Sequence, residues 1–296
     1  MQKIFFQTIT TLILLTAASG NAFCQAVMTM TTQKEKIEIK LAGFGTVTID
    51  WGDGKNDNFE ISDSISYYNH TYSDSFVRTI TIIGENIIFM DCRWNKLISL
   101  DVSKNLSLKR LACPSNQLTS LDVSKNTALE GLYCGDNKLT NLDVSKNTTL
   151  KALSCFSNKL KNLDVSNNTE LIHLSCSWNQ LENLDISKNV KLVELYCGIN
   201  NLTHLNVSEN TVLQGLHCVS NNFSETALNA LFETLHNIIF EDCGKIIFID
   251  GNQGTNQCDK TIAEKKGWEV IFCIDKPKNH TKSKQSNKSK FRQKNR

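Results

Sequence analysis

The chain has 296 residues, of which 40% are hydrophobic and 21% charged, and its formal net charge is +2. These proportions exclude a largely disordered chain. Nine of the basic residues lie in 276–296, where no acidic residue occurs, so the rest of the chain is mildly acidic and we expect no nucleic-acid partner.

Residues 1–26 are predicted to be a secretory signal peptide. Lys3 gives a positive start, an apolar stretch and small residues follow, and cleavage fits after Ala22 or Ala26. The stretch is too short and too polar for a membrane span, and no other segment is apolar enough. We therefore expect a secreted or cell-surface protein, with the periplasm and lipid attachment at Cys24 left open.

Residues 27–86 are predicted to form a small β-rich N-terminal cap. The segments GTVTIDWGDG, SYYNHTY and VRTITIIG are rich in Thr, Ile and Tyr, which is typical of strands joined by turns. The order of WGDG, NHTY and the Thr79–Ile83 run resembles part of a PKD-like β-sandwich. The region is short for a whole sandwich, so we expect a cap that covers the first edge of the structure that follows.

Residues 87–223 contain a repeat of 21 residues with the pattern LxxLxCxxNxLxxLDVSxNxx. Its cysteines are Cys92, Cys113, Cys134, Cys155, Cys176, Cys197 and Cys218. The alternation of Leu and Cys with polar residues predicts one short strand with one buried side in each unit. A single unit buries too little apolar surface to fold alone, so the units must stack and be capped.

This pattern resembles the leucine-rich-repeat family, in which Cys often replaces a Leu. The resemblance implies a mainly β, right-handed solenoid of about seven coils, with a β cap before it and a helix-containing cap after it. It also implies an extended concave face that binds other molecules.

The repeated polar residues are predicted to be structural. Two Asn series, which begin at Asn95 and Asn105, are expected to bond to the backbone at the two turns of each coil. The cysteines are expected to be buried and unpaired. The Asp column that begins at Asp101 fits a turn in DVSKN, with calcium binding as the alternative.

Residues 224–274 are predicted to form the C-terminal cap. ETALNALFETL has helical spacing with Ser224 as its N-cap, KIIFIDG is predicted to be a strand, and CDKTIAEKKGWEVIF a short helix and strand. The cap resembles that of secreted repeat proteins of Bacteroidetes-type bacteria. Two of Cys243, Cys258 and Cys273 could form a disulfide. Residues 275–296 are predicted to be a disordered basic tail.

The sequence contains no HExxH motif, phosphate-binding glycine loop or CxxC pair. We therefore expect a monomeric protein without enzymatic activity, cofactor or metal. Exposed Tyr, Trp and Arg residues on or beside the repeat strands indicate a binding surface for a protein. A glycan ligand and a purely structural role are the alternatives. The candidate residues are Arg93, Trp94, Arg110, Tyr133, Phe156, His173, Trp178, Glu194, Tyr196 and His217.

Overall fold

The structure is a computed structural model that describes residues 26–240 and 244–272. The predicted signal peptide up to residue 25, with Cys24, lies outside the described residues. So do Cys243, Cys273 and the predicted basic tail, and the pairing of Cys258 therefore stays a prediction.

The described chain forms fourteen strands and two helices. The strands are β1 (Ala26–Thr32), β2 (Lys36–Asp50), β3 (Asn56–Ile61), β4 (Ser66–Thr71), β5 (Arg78–Asp91), β6 (Ser99–Asp101), β7 (Arg110–Ala112), β8 (Gly131–Tyr133), β9 (Ala152–Ser154), β10 (His173–Ser175), β11 (Glu194–Tyr196), β12 (Gly215–His217), β13 (Lys245–Phe248) and β14 (Trp268–Ile271). The helices are α1 (Glu225–Thr234) and α2 (Thr261–Glu264).

All of these strands belong to a single sheet. From β5 through β7 to β14 the neighbours are parallel and follow the order of the chain. The sequence predicts about seven coils, and the parallel series is two strands longer because β13 and β14 of the C-terminal cap continue it. The predicted fold class is confirmed: the chain is a mainly β solenoid of the leucine-rich-repeat type.

Strand β5 joins the N-terminal cap to the solenoid. Its first half pairs antiparallel with β1, from Arg78 opposite Thr32 to Gly84 opposite Ala26. Its last three residues, Phe89–Asp91, pair parallel with β7. β5 passes without a break through residue 86, the predicted end of the cap, so the cap and the first coil share this strand. The resemblance of this cap to a PKD-like domain stays a prediction.

The core is a column of equivalent apolar side chains that runs through all coils. Each coil contributes six buried positions, which in one coil are Leu129, Leu132, Cys134, Leu139, Leu142 and Val144. The side chains on one side of a short strand point inward together, so the strand and the return segment of a coil close over the same core. Because neighbouring coils supply both walls of each layer, the coils are stable only as a stack.

The first Asn series is hydrogen-bonded at both ends of its amide, as predicted. Nδ2 of Asn137 donates to the carbonyl oxygens of Cys113 (3.0 Å) and Cys134 (3.1 Å). Its Oδ1 accepts from the N–H of Leu118 at 3.0 Å. Each such side chain therefore ties its own coil to the preceding one while it satisfies buried backbone groups.

The second Asn series is satisfied at one end only. Nδ2 of Asn147 donates to the carbonyl oxygens of Val123 and Asn126, both at 2.9 Å. Its Oδ1 is buried and has no hydrogen-bond partner among the described residues, and the same holds for the equivalent residues Asn105, Asn126, Asn168, Asn189 and Asn210. The predicted ladder is present, but it is made by the Nδ2 atoms of these side chains and not by their Oδ1 atoms.

This difference predicts an order of stability loss for two substitutions. Asn137→Ala removes the hydrogen-bond partner of two buried backbone carbonyls and of one buried backbone N–H. Asn147→Ala removes the partner of two buried carbonyls but of no N–H, and it also removes a buried oxygen that makes no hydrogen bond. An orphaned buried group costs about 1–3 kcal/mol, so Asn137→Ala should lower the free energy of unfolding more. Urea titration measures both losses, with exposed Thr140→Ala as the control. An equal or larger loss for Asn147→Ala would contradict this assignment.

The seven repeat cysteines are buried free thiols, as predicted. Their side chains are fully enclosed by the apolar core, where the charged thiolate form is disfavoured. Burial raises the pKa of Cys155 to about 12. The thiols therefore act as small apolar groups in the folded protein.

We expect Cys155 to resist alkylation by iodoacetamide at mildly alkaline pH in the folded state, because only the thiolate reacts and the thiol is enclosed. Unfolding in concentrated guanidinium should make the same residue react fully. Peptide mass spectrometry measures both on protein that has first been reduced, and the half-buried Cys258 should then be labelled first in the folded sample. Equal labelling of Cys155 and Cys258 under native conditions would be evidence against a closed core.

The Asp column forms turns, as predicted from DVSKN. Oδ1 of Asp143 accepts the backbone N–H of Ser145 at 2.9 Å. The same bond recurs at Asp101, Asp122, Asp164, Asp185 and Asn206. A side chain that accepts the N–H two residues later fixes the chain reversal, which explains why these positions repeat.

The C-terminal cap contains the predicted helices and strands. Helix α1 has Ser224 as its N-cap, whose side chain accepts from the N–H of Ala227, and it buries Leu228, Leu231 and Phe232. The buried amine of Lys245 donates to the carbonyl oxygens of Ile238 and Lys266, which gives that charge its partners. No helix in the described ranges has the length and hydrophobicity needed to cross a bilayer.

Candidate binding face

The side of the repeat strands that faces away from the core carries two rows of variable side chains, and we call this surface the strand face. The middle residue of each strand is a buried Leu, so its two neighbours point outward. The first row is Arg110, Gly131, Ala152, His173, Glu194 and Gly215. The second row is Ala112, Tyr133, Ser154, Ser175, Tyr196 and His217.

Three aromatic rings are stacked at the C-terminal end of the second row. The ring centroids of Tyr196 and His217 are 4.2 Å apart and those of His217 and Phe248 are 4.3 Å apart, with interplanar angles of 16° and 12°. Parallel strands in register place equivalent side chains about 4.8 Å apart, which is why the rings lie face to face. All three rings are partly exposed.

A polar pair lies beside this stack in the first row. Nδ1 of His173 is 3.2 Å from Oε2 of Glu194, and both side chains are about half exposed. Burial, and then the charge of Glu194, raise the pKa of the Tyr196 hydroxyl. The C-terminal part of the face thus combines an aromatic centre with an ionisable border.

The aromatic stack lowers the pKa of His217. Burial between two rings lowers its pKa, and the carboxylate of Glu194 opposes this effect. The unfolded state, with a pKa of about 6.5, therefore binds a proton more readily than the folded state. Protonation of His217 in the unfolded state therefore lowers the free energy of unfolding as the pH falls below about 6.5. Above that pH the stability is not reduced by this group.

His217→Phe should keep the ring stack and remove this pH dependence. We expect the free energy of unfolding of the wild type to fall relative to that of the variant on the acid side of about pH 6.5. Urea titrations above and below that pH measure the difference. His236, whose pKa burial also lowers, is common to both proteins and cancels. Parallel pH curves for the two proteins would show that His217 is not the cause.

Arg110 and Tyr133 form a second group near the N-terminal end. A Cβ atom placed on Gly131 would lie 3.1 Å from Cε2 of Tyr133 and 3.4 Å from Cγ of Arg110. The ring and the aliphatic part of the arginine therefore both cover Gly131. The absence of a side chain at Gly131 leaves room for both.

The remaining candidates lie just beyond the strands, where the chain turns. Trp94 and Trp178 have left-handed backbones with φ of 57° and 59°, and their side chains are 63% and 60% exposed. Ile199 occupies the equivalent position with φ of 56°. The same conformation recurs at Ser115, Asp136, Ser157 and Ser220, so it belongs to the repeat turn, and only the exposed rings distinguish Trp94 and Trp178.

Phe156 follows its cysteine directly and lies over Gly135. A Cβ atom on Gly135 would be 2.3 Å from Cε1 of the phenylalanine ring. Its ring is 38% exposed, less than that of either turn tryptophan. Phe156 and Trp178 therefore border the strand face, whereas Arg93 and Trp94 lie at its N-terminal end.

Phe248 belongs to the stack but is absent from the sequence-based candidates. It lies in the predicted strand KIIF, where it follows the buried Ile247 as His217 follows Leu216. The alternation of buried and outward-facing residues in this strand could have identified Phe248 as outward-facing from the sequence. The pairing of β13 next to β12, which makes the alternation relevant, is a property of the folded cap.

No protein-family model matches this sequence, and no curated protein sequence matches it. The functional domain of InlJ from Listeria monocytogenes, which includes a cysteine ladder, is 30% identical, with a TM-score of 0.37; the match covers 62% of this chain and 49% of that one. This chain therefore spans about half of that domain.

Two further solved structures are similar. Internalin C2 from Listeria monocytogenes is 19% identical over 63% of this chain and 81% of that one, with a TM-score of 0.54. The protein LIC12759 from Leptospira interrogans, a leucine-rich-repeat protein, is 21% identical over 58% of this chain and 50% of that one, with a TM-score of 0.46. The likeness to internalin C2 supports the fold.

Proposed function

We propose that this protein is a non-enzymatic binding module that recognises another protein through its strand face. It acts outside the cytoplasm, secreted or at a cell surface. The location rests on the signal peptide predicted from the sequence, and the binding function rests on the composition and geometry of the strand face.

The stack of Tyr196, His217 and Phe248 carries this proposal. Equivalent positions in other coils hold Ala112, Ser154 and Ser175, so the solenoid forms its strands without aromatic residues there. The rings are therefore not needed to build the coil. Partly exposed Tyr and other large rings beside ionisable groups are typical of the centres of protein interfaces.

The stacking also favours a protein over a glycan as the ligand. Sugars bind to the open faces of aromatic rings, but in this stack the faces of His217 are covered by its two neighbours. The centre of the stack therefore presents a ridge of ring edges. Such a ridge suits the irregular apolar surface of a protein.

The test is capture of a partner from bacterial and host cell-surface extracts on the immobilised protein. A variant with Tyr196→Ala and His217→Ala should lose the partner, because truncation of interface centres typically costs about 2 kcal/mol or more each. Leu106→Ala is the matched control, since this leucine is 64% exposed in a turn outside the strand face.

Circular dichroism and urea titration must first show that all three proteins fold alike. Addition of free sugars should leave capture unchanged. A partner retained equally by the double variant and the control would reject the aromatic stack as the binding site. Displacement of the partner by free sugars would instead support the glycan alternative.

A further inference from the structure

The strand face does not end at the first repeat but continues into the N-terminal cap. In β5, Asp91 is opposite Ala112 of β7 on one side and Lys40 of β2 on the other. Lys40 is in turn opposite Tyr67 of β4. The row that ends in Tyr196 and His217 therefore begins with two cap residues, which the sequence repeat does not include.

A buried carboxylate organises this end of the row. Asp91 is only 3% exposed, and its oxygens accept from Nε of Arg93 at 2.8 Å and from the backbone N–H of Arg93 at 3.1 Å. Nζ of Lys40 lies 3.9 Å from the same carboxylate and 3.6 Å from Oε1 of Glu38, so Arg93 is the cation that a ligand can engage. Asp91 thus fixes the guanidinium of Arg93 through Nε. Within the described ranges, its two terminal nitrogens have no protein partner.

Two exposed rings flank these cations. Nζ of Lys40 is 4.8 Å from the ring centroid of Tyr67, and Cζ of Arg93 is 5.9 Å from the ring of Trp94. Tyr67 is 61% exposed and Trp94 is 63% exposed. An oriented guanidinium beside one open ring, with a lysine amine beside a second, is suited to bind a carboxylate together with an apolar group.

A pocket of about 260 Å³ lies farther along the same strands, between a cap loop and the first coils, where Ala42 is opposite Phe89 as Lys40 is opposite Asp91. Ile65 and Phe89 give it apolar walls, and Arg110 lies at its border. Glu130, which also lines it, is engaged by Nζ of Lys151 at 2.8 Å. Lys109 and Asp63 also line the pocket. It can therefore take one apolar side chain beside a border of mixed charge in which the cations outnumber the carboxylate of Asp63.

The surrounding charge is predominantly positive. Burial lowers the pKa of the Lys34 amine, and the nearby Lys36 and Lys96 lower it further against the opposing effect of Glu38. Lys34 also donates to the carbonyl oxygen of Trp94. This concentration of cations favours an acidic ligand.

The first coil differs from the others at these positions. The places of Arg93 and Trp94 are taken by Pro114 and Ser115 in the next coil. Asp91 is replaced by Ala112. The repeat therefore does not require this set of residues for its own folding.

We propose that Lys40, Tyr67, Arg93 and Trp94, with the adjoining pocket, form a binding site for an acidic peptide segment of a protein partner. A Glu or Asp side chain of that segment pairs with Arg93 beside the ring of Trp94, and a nearby apolar side chain enters the pocket. This inference rests on the proposed function, because the site is the N-terminal end of the same strand face.

Selection of random-sequence peptides displayed on phage against the whole protein tests the ligand chemistry. We expect enriched peptides to carry Asp or Glu next to a large apolar residue. A synthetic peptide of that sequence should bind in a fluorescence titration, and its Glu→Gln or Asp→Asn version should bind about tenfold more weakly, which is the cost of a lost charge-assisted hydrogen bond.

Variants of the protein test the site itself. Tyr67→Ala with Trp94→Ala should weaken peptide binding at least about tenfold, and both residues are exposed enough for the fold to be retained. Arg93→Lys keeps a charge beside Asp91 but loses the planar fork, so it should also weaken binding. Phe44→Ala, which removes a ring that is 54% exposed on the same cap, is the matched control and should bind as the wild type does.

Selection of peptides without acidic residues, or binding unaffected by the double variant, would overturn the inference. Competition by an acidic sugar polymer but not by peptides would also overturn it. If partner capture depends on Tyr196 and His217 while these peptide experiments fail, the inference is wrong and the proposed function stands. If peptides bind as expected while capture ignores Tyr196 and His217, the proposed face is wrong at its C-terminal end only.

Discussion

The structure depends on the hydrogen bonds that hold each coil in register with the next. The first Asn series makes the decisive contribution, because one amide such as that of Asn137 satisfies backbone groups of two coils at once. Parallel strands of three residues have few bonds of their own. Without side chains that bridge the coils inside the core, strands this short would not hold their alignment.

The same register creates the surface. Because every coil has the same length, residues 21 positions apart are neighbours on adjacent strands, and similar side chains meet directly. This produces the face-to-face contact of Tyr196 and His217 and the approach of His173 to Glu194, and the pairing of β13 with β12 adds Phe248 to the stack. A fold held by a rigid inner ladder can vary its outer rows freely, and here the variation concentrates aromatic and charged residues at the two ends of the face.

The two caps serve the strand face as well as the ends of the core. The C-terminal cap adds Phe248 to the aromatic stack, and the N-terminal cap adds Lys40 and Tyr67 beside Asp91. The cap strands can do this because β2 and β13 pair directly with the outermost strands of the repeat region. Elements that close the edges of the sheet therefore also lengthen the surface available for a partner.

The sequence by itself determined the repeat, the buried Leu and Cys positions, both Asn series, the Asp turns and the helix that begins after Ser224. These features are local or strictly periodic, so one coil specifies them all. Only the tertiary structure decided that the Oδ1 atoms of the second Asn series lack partners and that Phe248 joins the stack. It also decided that Tyr67 and Lys40 lie beside Arg93. Each of these depends on which strand pairs with which across non-repeating segments, and a periodic pattern carries no information about that pairing.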